Sequence, residues 1–439
     1  MPYQDLYQQC LDRIPGQIRK CVQSGKYPVL GYTSNLDVLV TWDAALFNAM
    51  TDSHLSEKPS FRTGDVLASA SDFVRVVCYI VLNGLGGEIE IVSRELCELL
   101  KHTFECRYAL GGTSAQGSAA LASVGMPVVM QISDRSPQVC RLLDYPTISM
   151  ISPEGKPVPV MKMVSDRPPV EHFILQYDHG DVVRIGQTEH IIPTSNRLIM
   201  DFDDLHKTLP VDPYFLEYLE AHAAEISSYN ISGFNAIVSL PVLEQTVARM
   251  AEHYRRIKER NPECILYLES AHYLNPESRH MVYSGFAPTL DILGMNEEEL
   301  ADLAQAHGQT LILQNLDSLL DTLEKVHQAY PARGLVVHAK DYSIYYGWPR
   351  EGVDMAQALC YGNLLAGTRA RIGHYASLED CQGTLALPLS PAGLALAEQM
   401  PARHSGRTVN IVPSRYLEKP MTTIGLGDTF AAGMQIAFI

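Results

Sequence analysis

The run Thr422-Thr423-Ile424-Gly425-Leu426-Gly427-Asp428, continued by Thr-Phe-Ala-Ala-Gly433, carries the sharpest chemical signal in the chain. Two glycines one residue apart let the backbone turn tightly and approach a ligand closely. A helix is expected to start at that turn, offering unpaired N–H groups and a positive dipole end to a transferring phosphoryl group. Asp428 falls at the helix start, where the dipole favours its ionised form. A carboxylate so placed can take the proton of an attacking hydroxyl. The plain alternative is a glycine turn whose aspartate merely caps a helix.

The elements that must position such a site are legible in the hydrophobic periodicity. Helical spacing over residues 4–24 precedes an apolar run at 27–40, broken by Gly31, that reads as a strand ending in a functional loop. A helix is predicted at 70–83, and Glu88 to Val92 alternates as a strand with one wet face. Residues 110–133 read as turn, helix, turn and buried strand. Short strands are predicted at 158–164, 171–178 and 181–186, with His179-Gly180 as a turn. From about 213 onward strands and helices alternate. Strands are expected at 226–233, 264–270, 290–295, 310–315 and 333–342, with helices at 241–260, 297–306, 314–329 and 354–371. That alternation predicts an α/β fold with a large, mostly parallel sheet flanked by helices on both faces. The expected division is a large nucleotide-binding α/β domain from 1–34, 109–156 and 201–439, and a smaller discontinuous α+β lid domain from 35–108 and 157–200.

Composition narrows the function classes. The 439 residues are 46% hydrophobic and 19% charged, as in ordinary globular proteins. A formal net charge of −16 argues against nucleic acid or an anionic membrane as partner. The nine cysteines are scattered without a CxxC pair, so neither a disulfide framework nor a zinc site is expected. With no signal-peptide pattern at the N-terminus, a reducing, cytoplasmic setting is the expectation. Nothing fixes the oligomeric state.

Ten segments in order along the chain resemble the ADP-dependent glucokinase and phosphofructokinase family, a branch of the ribokinase-like superfamily. They are GYTSNLD (31–37), LGGTSAQGSAA (110–120), EHFILQY (171–177), SNRLI (195–199), ISGFN (231–235), LYLESA (266–271), DILGMNEEEL (291–300), LVVHAKDY (335–342), GTRARIG (367–373) and TTIGLGD (422–428).

The resemblance implies a ribokinase-like fold and a kinase that moves the β-phosphoryl of ADP onto a sugar hydroxyl, giving AMP. Its partners would be a small sugar and a nucleotide, and its cofactor Mg²⁺ or another divalent cation. Asp428 would be the base, with Gly425 and Gly427 forming the anion-binding turn and Arg197 neutralising phosphate charge. Asn35 and Asp37, two apart on a strand and so projecting the same way, would grip acceptor hydroxyls. An Asx turn is the bland reading of that pair. Gly111 and Gly112 would bring backbone to the sugar, and His172 would face it. Glu90, or Glu88 two residues earlier, would bind a glucose hydroxyl. His338, Tyr342, Val412 and Pro413 would border the nucleotide. Glu269, Asn296 and Glu297 would serve a magnesium ion, largely through waters.

This sequence departs from the family pattern at Thr113, where Gln or Asn is common, at Tyr267, where histidine is usual, and at Ala339, where threonine is common. Acceptor identity therefore stays open: Glu90 favours glucose, whereas Lys156, Lys162 and Arg167 could hold the phosphate of fructose 6-phosphate. An ATP-using kinase with another alcohol acceptor such as a nucleoside, or a catalytically weakened sensor of sugar or nucleotide, are the competing readings.

Overall fold

The computed structural model describes residues 2–62 and 64–439. Its centre is an eleven-stranded sheet. Six strands run parallel in the order Gly334–His338, Ile292–Asn296, Ile265–Glu269, Ile226–Ile231, Tyr27–Tyr32 and Val128–Ile132, followed by Ile148–Ile151, also parallel. Their side chains are buried almost without a break, as expected of strands covered on both faces. Antiparallel strands close both edges. Tyr342–Gly347, Arg407–Pro413 and the short Arg403–His404 lie on one side, and Pro157–Pro159 on the other.

One face packs Leu30, Tyr267 and Tyr345 beneath the helices Thr113–Ser123, Met355–Ile372 and Leu426–Met434, which contribute Ala119, Leu364 and Phe430. The other packs Tyr32, Tyr229 and Leu268 against Leu240–Arg260 and Pro276–Phe286 through Tyr254 and Phe286. Among the described residues, no helix is long and apolar enough to cross a membrane.

A separate five-stranded sheet takes the order Gly87–Glu90, Asn196–Phe202, Glu171–Tyr177, Asn35–Thr41 and Cys106–Gly111. Alternation splits it cleanly. Val38, Phe173, Leu175, Leu198 and Met200 form a core with Phe47 and Phe73, which lie on the helices Ala44–His54 and Ala70–Leu82. The residues between them are left to face a cleft.

Several expectations need correction. Residues 27–40 are not one strand, because the chain leaves the large sheet after Tyr32 and enters the small one at Asn35. Thr310 to Asn315 form a loop; Gly334–His338 pairs directly with Ile292–Asn296, leaving no slot between them for another strand. In 158–164 only the start is extended; Pro157–Pro159 joins the large sheet and a single 3₁₀ turn follows. The expected strand 333–342 stops at His338, and the chain turns back there into Tyr342–Gly347. The small sheet also runs to Gly111 and Phe202, past the 108 and 200 limits expected for the lid.

Candidate active site

Strand register builds one side of the cleft. Asp37 lies opposite His172, His172 opposite Asp201, and Asp201 opposite Glu90, so the four form one row across four strands on the cleft face. Glu88 belongs to the next row, with Ile199 and Ile174. Asn35 donates from Nδ2 to Asp37 Oδ1 at 2.7 Å, and both are buried. Gly111 is opposite Asn35, and a Cβ there would fall on Asn35 Nδ2 and Asp37 Oδ1. Gly112 has φ +86°, and a Cβ would strike the backbone of Thr33 and Ser34, so this corner accepts only glycine.

The row is strongly charged. Burial first, then the charge of Asp428, pushes the Asp37 carboxyl up to about 6, against the pull of His172 and the Asn35 hydrogen bond. Burial also lifts Asp201 to about 6, with Glu88 and Asp203 adding to it. Burial would lower His172, yet the hydrogen bond and charge of Asp203 win and raise it to about 9. Glu90 is ion-paired with Lys207 at 2.6 Å.

Across the cleft stands the turn before the helix Leu426–Met434. Gly425 has φ +66°, and a Cβ there would collide with Gln116 Oε1. Arg369 secures this turn, donating to Gly425 O at 3.0 Å, Thr429 Oγ1 at 2.8 Å and Gln116 Oε1 at 2.6 Å. Asp428 lies in the first helical turn, half-buried. Desolvation raises its pKa, opposed by a hydrogen bond from Thr113 and the charge of Arg369. Asn35, Asp37, Glu88, Glu90, His172, Arg197 and Asp428 therefore line one cleft of about 400 Å³. Arg197 extends from the small sheet to Thr423 Oγ1 at 3.4 Å.

Residues 27–437 match the family model of the ADP-specific phosphofructokinase/glucokinase conserved region. The chain belongs to this family. An ADP-dependent glucose/glucosamine kinase of Pyrococcus furiosus is 22% identical over 457 residues, covering 98% of this chain and 97% of the relative. An ADP-specific phosphofructokinase of the same organism is 21% identical over 440 residues, covering 93% and 96%. Among solved structures, the last common ancestor of ADP-dependent phosphofructokinases from Methanosarcinales aligns with TM-score 0.79 at 18% identity, covering 100% of this chain and 98% of that one. That likeness shows the shared fold.

In this family member the departures at Tyr267 and Thr113 have structural answers. Tyr267 donates its hydroxyl to Glu269 Oε2 at 3.0 Å, while His338 Nε2 lies 2.8 Å from Glu269 Oε1. Glu269 is 5% exposed and clamped from both sides. Thr113 is short, but its hydroxyl reaches Asp428. A Cβ at Gly427 would press on His338, so the Asp428 turn and the Glu269 clamp are neighbours.

Asn296 is committed to capping. Its Oδ1 accepts from Glu299 N at 2.8 Å, and its own N–H donates to Glu299 Oε2 at 3.0 Å. Burial, then the charge of Glu269, holds Glu299 up at about 7. Two buried carboxyls around one histidine make an oxygen-rich, electron-rich corner that fits a hard cation. Both oxygens of Glu269 and the Oδ1 of Asn296 are engaged within the protein, so a cation in this corner would meet them through waters.

The nucleotide-side candidates are less open. Tyr342 pairs with Pro413 and Ser343 with Val412 across adjacent strands. Val412 is 0% exposed within the core, and the Tyr342 hydroxyl donates to Leu313 O. Lys156, Lys162 and Arg167 are exposed and line no part of the cleft. Sequence reasoning passed over Arg369, although it stands in GTRARIG. The available signal was an arginine inside a helix, Met355–Ile372, whose other side chains are mostly apolar.

Proposed function

We propose that this chain is an ADP-dependent hexose kinase with glucose as the favoured acceptor. The observation that carries this reading is the convergence of Asp428, at a helix N-terminus, with the Asp37–His172–Asp201–Glu90 row on one cleft. Asp428 takes the proton from the acceptor hydroxyl, whose oxygen attacks the β-phosphorus of ADP. The bond from that phosphorus to the bridging oxygen breaks, and AMP leaves. The Gly425–Gly427 turn and the helix dipole receive the charge of the transferring group, and Arg197 offsets it from the small sheet. A divalent cation near Glu269 and Glu297 would draw charge from the donor phosphates.

The choice of ADP rests on family membership, and the named relatives support it. Glucose is favoured over fructose 6-phosphate by charge. The basic trio Lys156, Lys162 and Arg167 lies outside the cleft, and among the basic side chains that line it Lys207 already serves Glu90 and His172 is held by Asp203. Glu90, in the same row as Asp37, is the better-placed hydroxyl ligand than Glu88. A two-part division, with the small sheet as a lid over the large one, accords with a site built from both.

Phosphorus NMR of the purified protein with Mg²⁺ tests the reading, with ADP and ATP offered separately against glucose and fructose 6-phosphate. AMP and a glucose phosphate are expected from ADP. Turnover with ATP alone, or tight binding without chemistry, would overturn the assignment.

A further inference from the structure

Behind the acceptor row lies a set of metal-type donors that phosphoryl transfer leaves largely unused. His172 Nε2, a carboxylate oxygen of Asp203 and His206 Nδ1 all lie within 4.8 Å of one another. Both nitrogens point at the same oxygen, Asp203 Oδ2, from 3.1 Å and 2.5 Å. A tetrahedral ion with ligands at about 2.0–2.2 Å spaces them by roughly 3.3 Å, so the His172 contact is already at that spacing and the His206 contact, a short hydrogen bond, must open by roughly 0.8 Å to admit the ion.

The surroundings are those of a supported site. The outer nitrogen of His206, Nε2, lies 2.5 Å from Ser133 Oγ, and the backbone N–H of His206 donates to Asp203 Oδ1 at 2.9 Å. Such outer contacts fix ring orientation and tautomer, as around metal-bound histidines. Asp203 and His206 side chains are buried, whereas His172 is 23% exposed, so the set opens on one side. That side is the cleft, which all three residues line. Charge also favours a cation there. Carboxylates outnumber bases along the cleft: Asp37, Glu88, Glu90, Asp201, Asp203 and Asp428 line it against Arg197, Lys207 and the histidines, Lys207 is already paired, and an ion would displace the proton that Asp203 holds on His172.

Two imidazoles and one carboxylate suit Zn²⁺, Co²⁺ or Ni²⁺ rather than Mg²⁺, which prefers an all-oxygen shell. We infer that His172, Asp203 and His206 form a transition-metal site of the Zn²⁺ class, distinct from the cation corner at Glu269. Its open positions face the space beside Asp37 and Glu90. Resting on the sugar-kinase reading, a further consequence is that metal and acceptor exclude each other, making Zn²⁺ an inhibitor competitive with the sugar.

The test is a Co²⁺ titration of the full chain in excess Mg²⁺, followed by visible absorption. Saturation near one equivalent with a four- or five-coordinate spectrum is expected, and Zn²⁺ should displace it. Asp203→Asn and His206→Gln should each weaken binding at least ~10-fold, since even lost outer partners cost roughly 10–100-fold. Glu269→Gln should bind Co²⁺ as the parent does. His172→Gln supplies a variant that leaves the buried Asp203–His206–Ser133 contacts intact, should the other two fail to fold. No saturable spectrum, or equal binding in His172→Gln, overturns the site. Binding that depends on these residues without any glucose turnover keeps the site and discards the sugar reading. Residue-dependent binding that leaves the glucose KM unchanged discards the overlap.

Discussion

Arg369 donates through Nη1 to the carbonyl of Gly425 at 3.0 Å and so ties the helix Met355–Ile372 to the turn that presents Asp428. The same guanidinium reaches Thr429 and Gln116 and lies over the Tyr375 ring at 4.4 Å, while being only 7% exposed. No other side chain offers five donors in one rigid fork, so lysine cannot reproduce this geometry. In Arg369→Met the buried Gln116 Oε1 loses its donor, at a cost of about 1–3 kcal/mol if it stays buried, while Gly425 O keeps Thr429 N–H and Oγ1 and loses only its tie to the helix. Denaturation should show the loss of stability, and misplacement of the turn should lower kcat by roughly 10²-fold. Because the Arg369 charge lowers the Asp428 pKa, its removal should also move the acid limb of the kcat profile to higher pH. Arg369→Lys should return the limb toward its parent position without restoring kcat. A limb that stays put in Arg369→Met would show that Arg369 does not act on Asp428.

Asp428→Asn keeps the shape of the helix start and removes the proton acceptor. The kcat should fall by ~10²–10⁴-fold, the usual weight of a general base. Nucleotide affinity, measured by calorimetry, should survive, because the Gly425–Gly427 turn and the helix N-terminus are untouched. A variant retaining more than roughly a tenth of parental kcat would assign the proton to another group.

Much of this arrangement is legible in the sequence because it is local. The glycine turn, the helix behind it and the strand-helix alternation after residue 213 follow from residue type and period. The Asp37–His172–Asp201–Glu90 row does not, since it depends on the register of four strands drawn from distant parts of the chain. Register also separates Glu90 from Glu88, which strand periodicity leaves equivalent. The loop 310–315 looks like a strand by composition, and only the direct pairing of its neighbours removes it. Arg369 is visible in a quoted motif, but its purpose requires knowing what lies 56 residues further on. The nucleotide wall is the opposite case: apolar Val412 satisfies a motif and a core alike, and burial assigns it to the core.

Gly111→Ala tests how tightly the acceptor corner is built. The added methyl falls on both members of the 2.7 Å Asn35–Asp37 hydrogen bond, so the pair must separate or the two strands must part. The effect should appear mainly in the acceptor KM, with kcat/KM for the sugar down by roughly 10²-fold and nucleotide binding retained. Equal losses for nucleotide and sugar would point to a general collapse of the small sheet instead.

With Asp37 as an acceptor ligand, as proposed, its ionisation should set the pH dependence of acceptor capture. Burial chiefly holds its carboxyl at about 6, well above the ordinary aspartate value, while His172 and Asn35 oppose the rise. A pKa raised in the folded state favours the protonated form. The contribution of Asp37 to stability is therefore complete below about pH 4 and is lost as pH rises through about 6, a change on the order of 3 kcal/mol. Acceptor binding runs the other way, because only the ionised carboxylate accepts a hydroxyl proton on both oxygens. In the free protein both Asp37 and Asp428 must be ionised, so kcat/KM for glucose should fall at acid pH with a two-proton dependence. In Asp37→Asn one ionisation disappears: the limb should relax to a one-proton dependence, and the stability slope between about pH 4 and 6 should flatten. Rate profiles and urea denaturation across that range measure the two effects on the same variant. A limb unchanged in steepness would remove Asp37 from the acceptor site, whatever its place in the row.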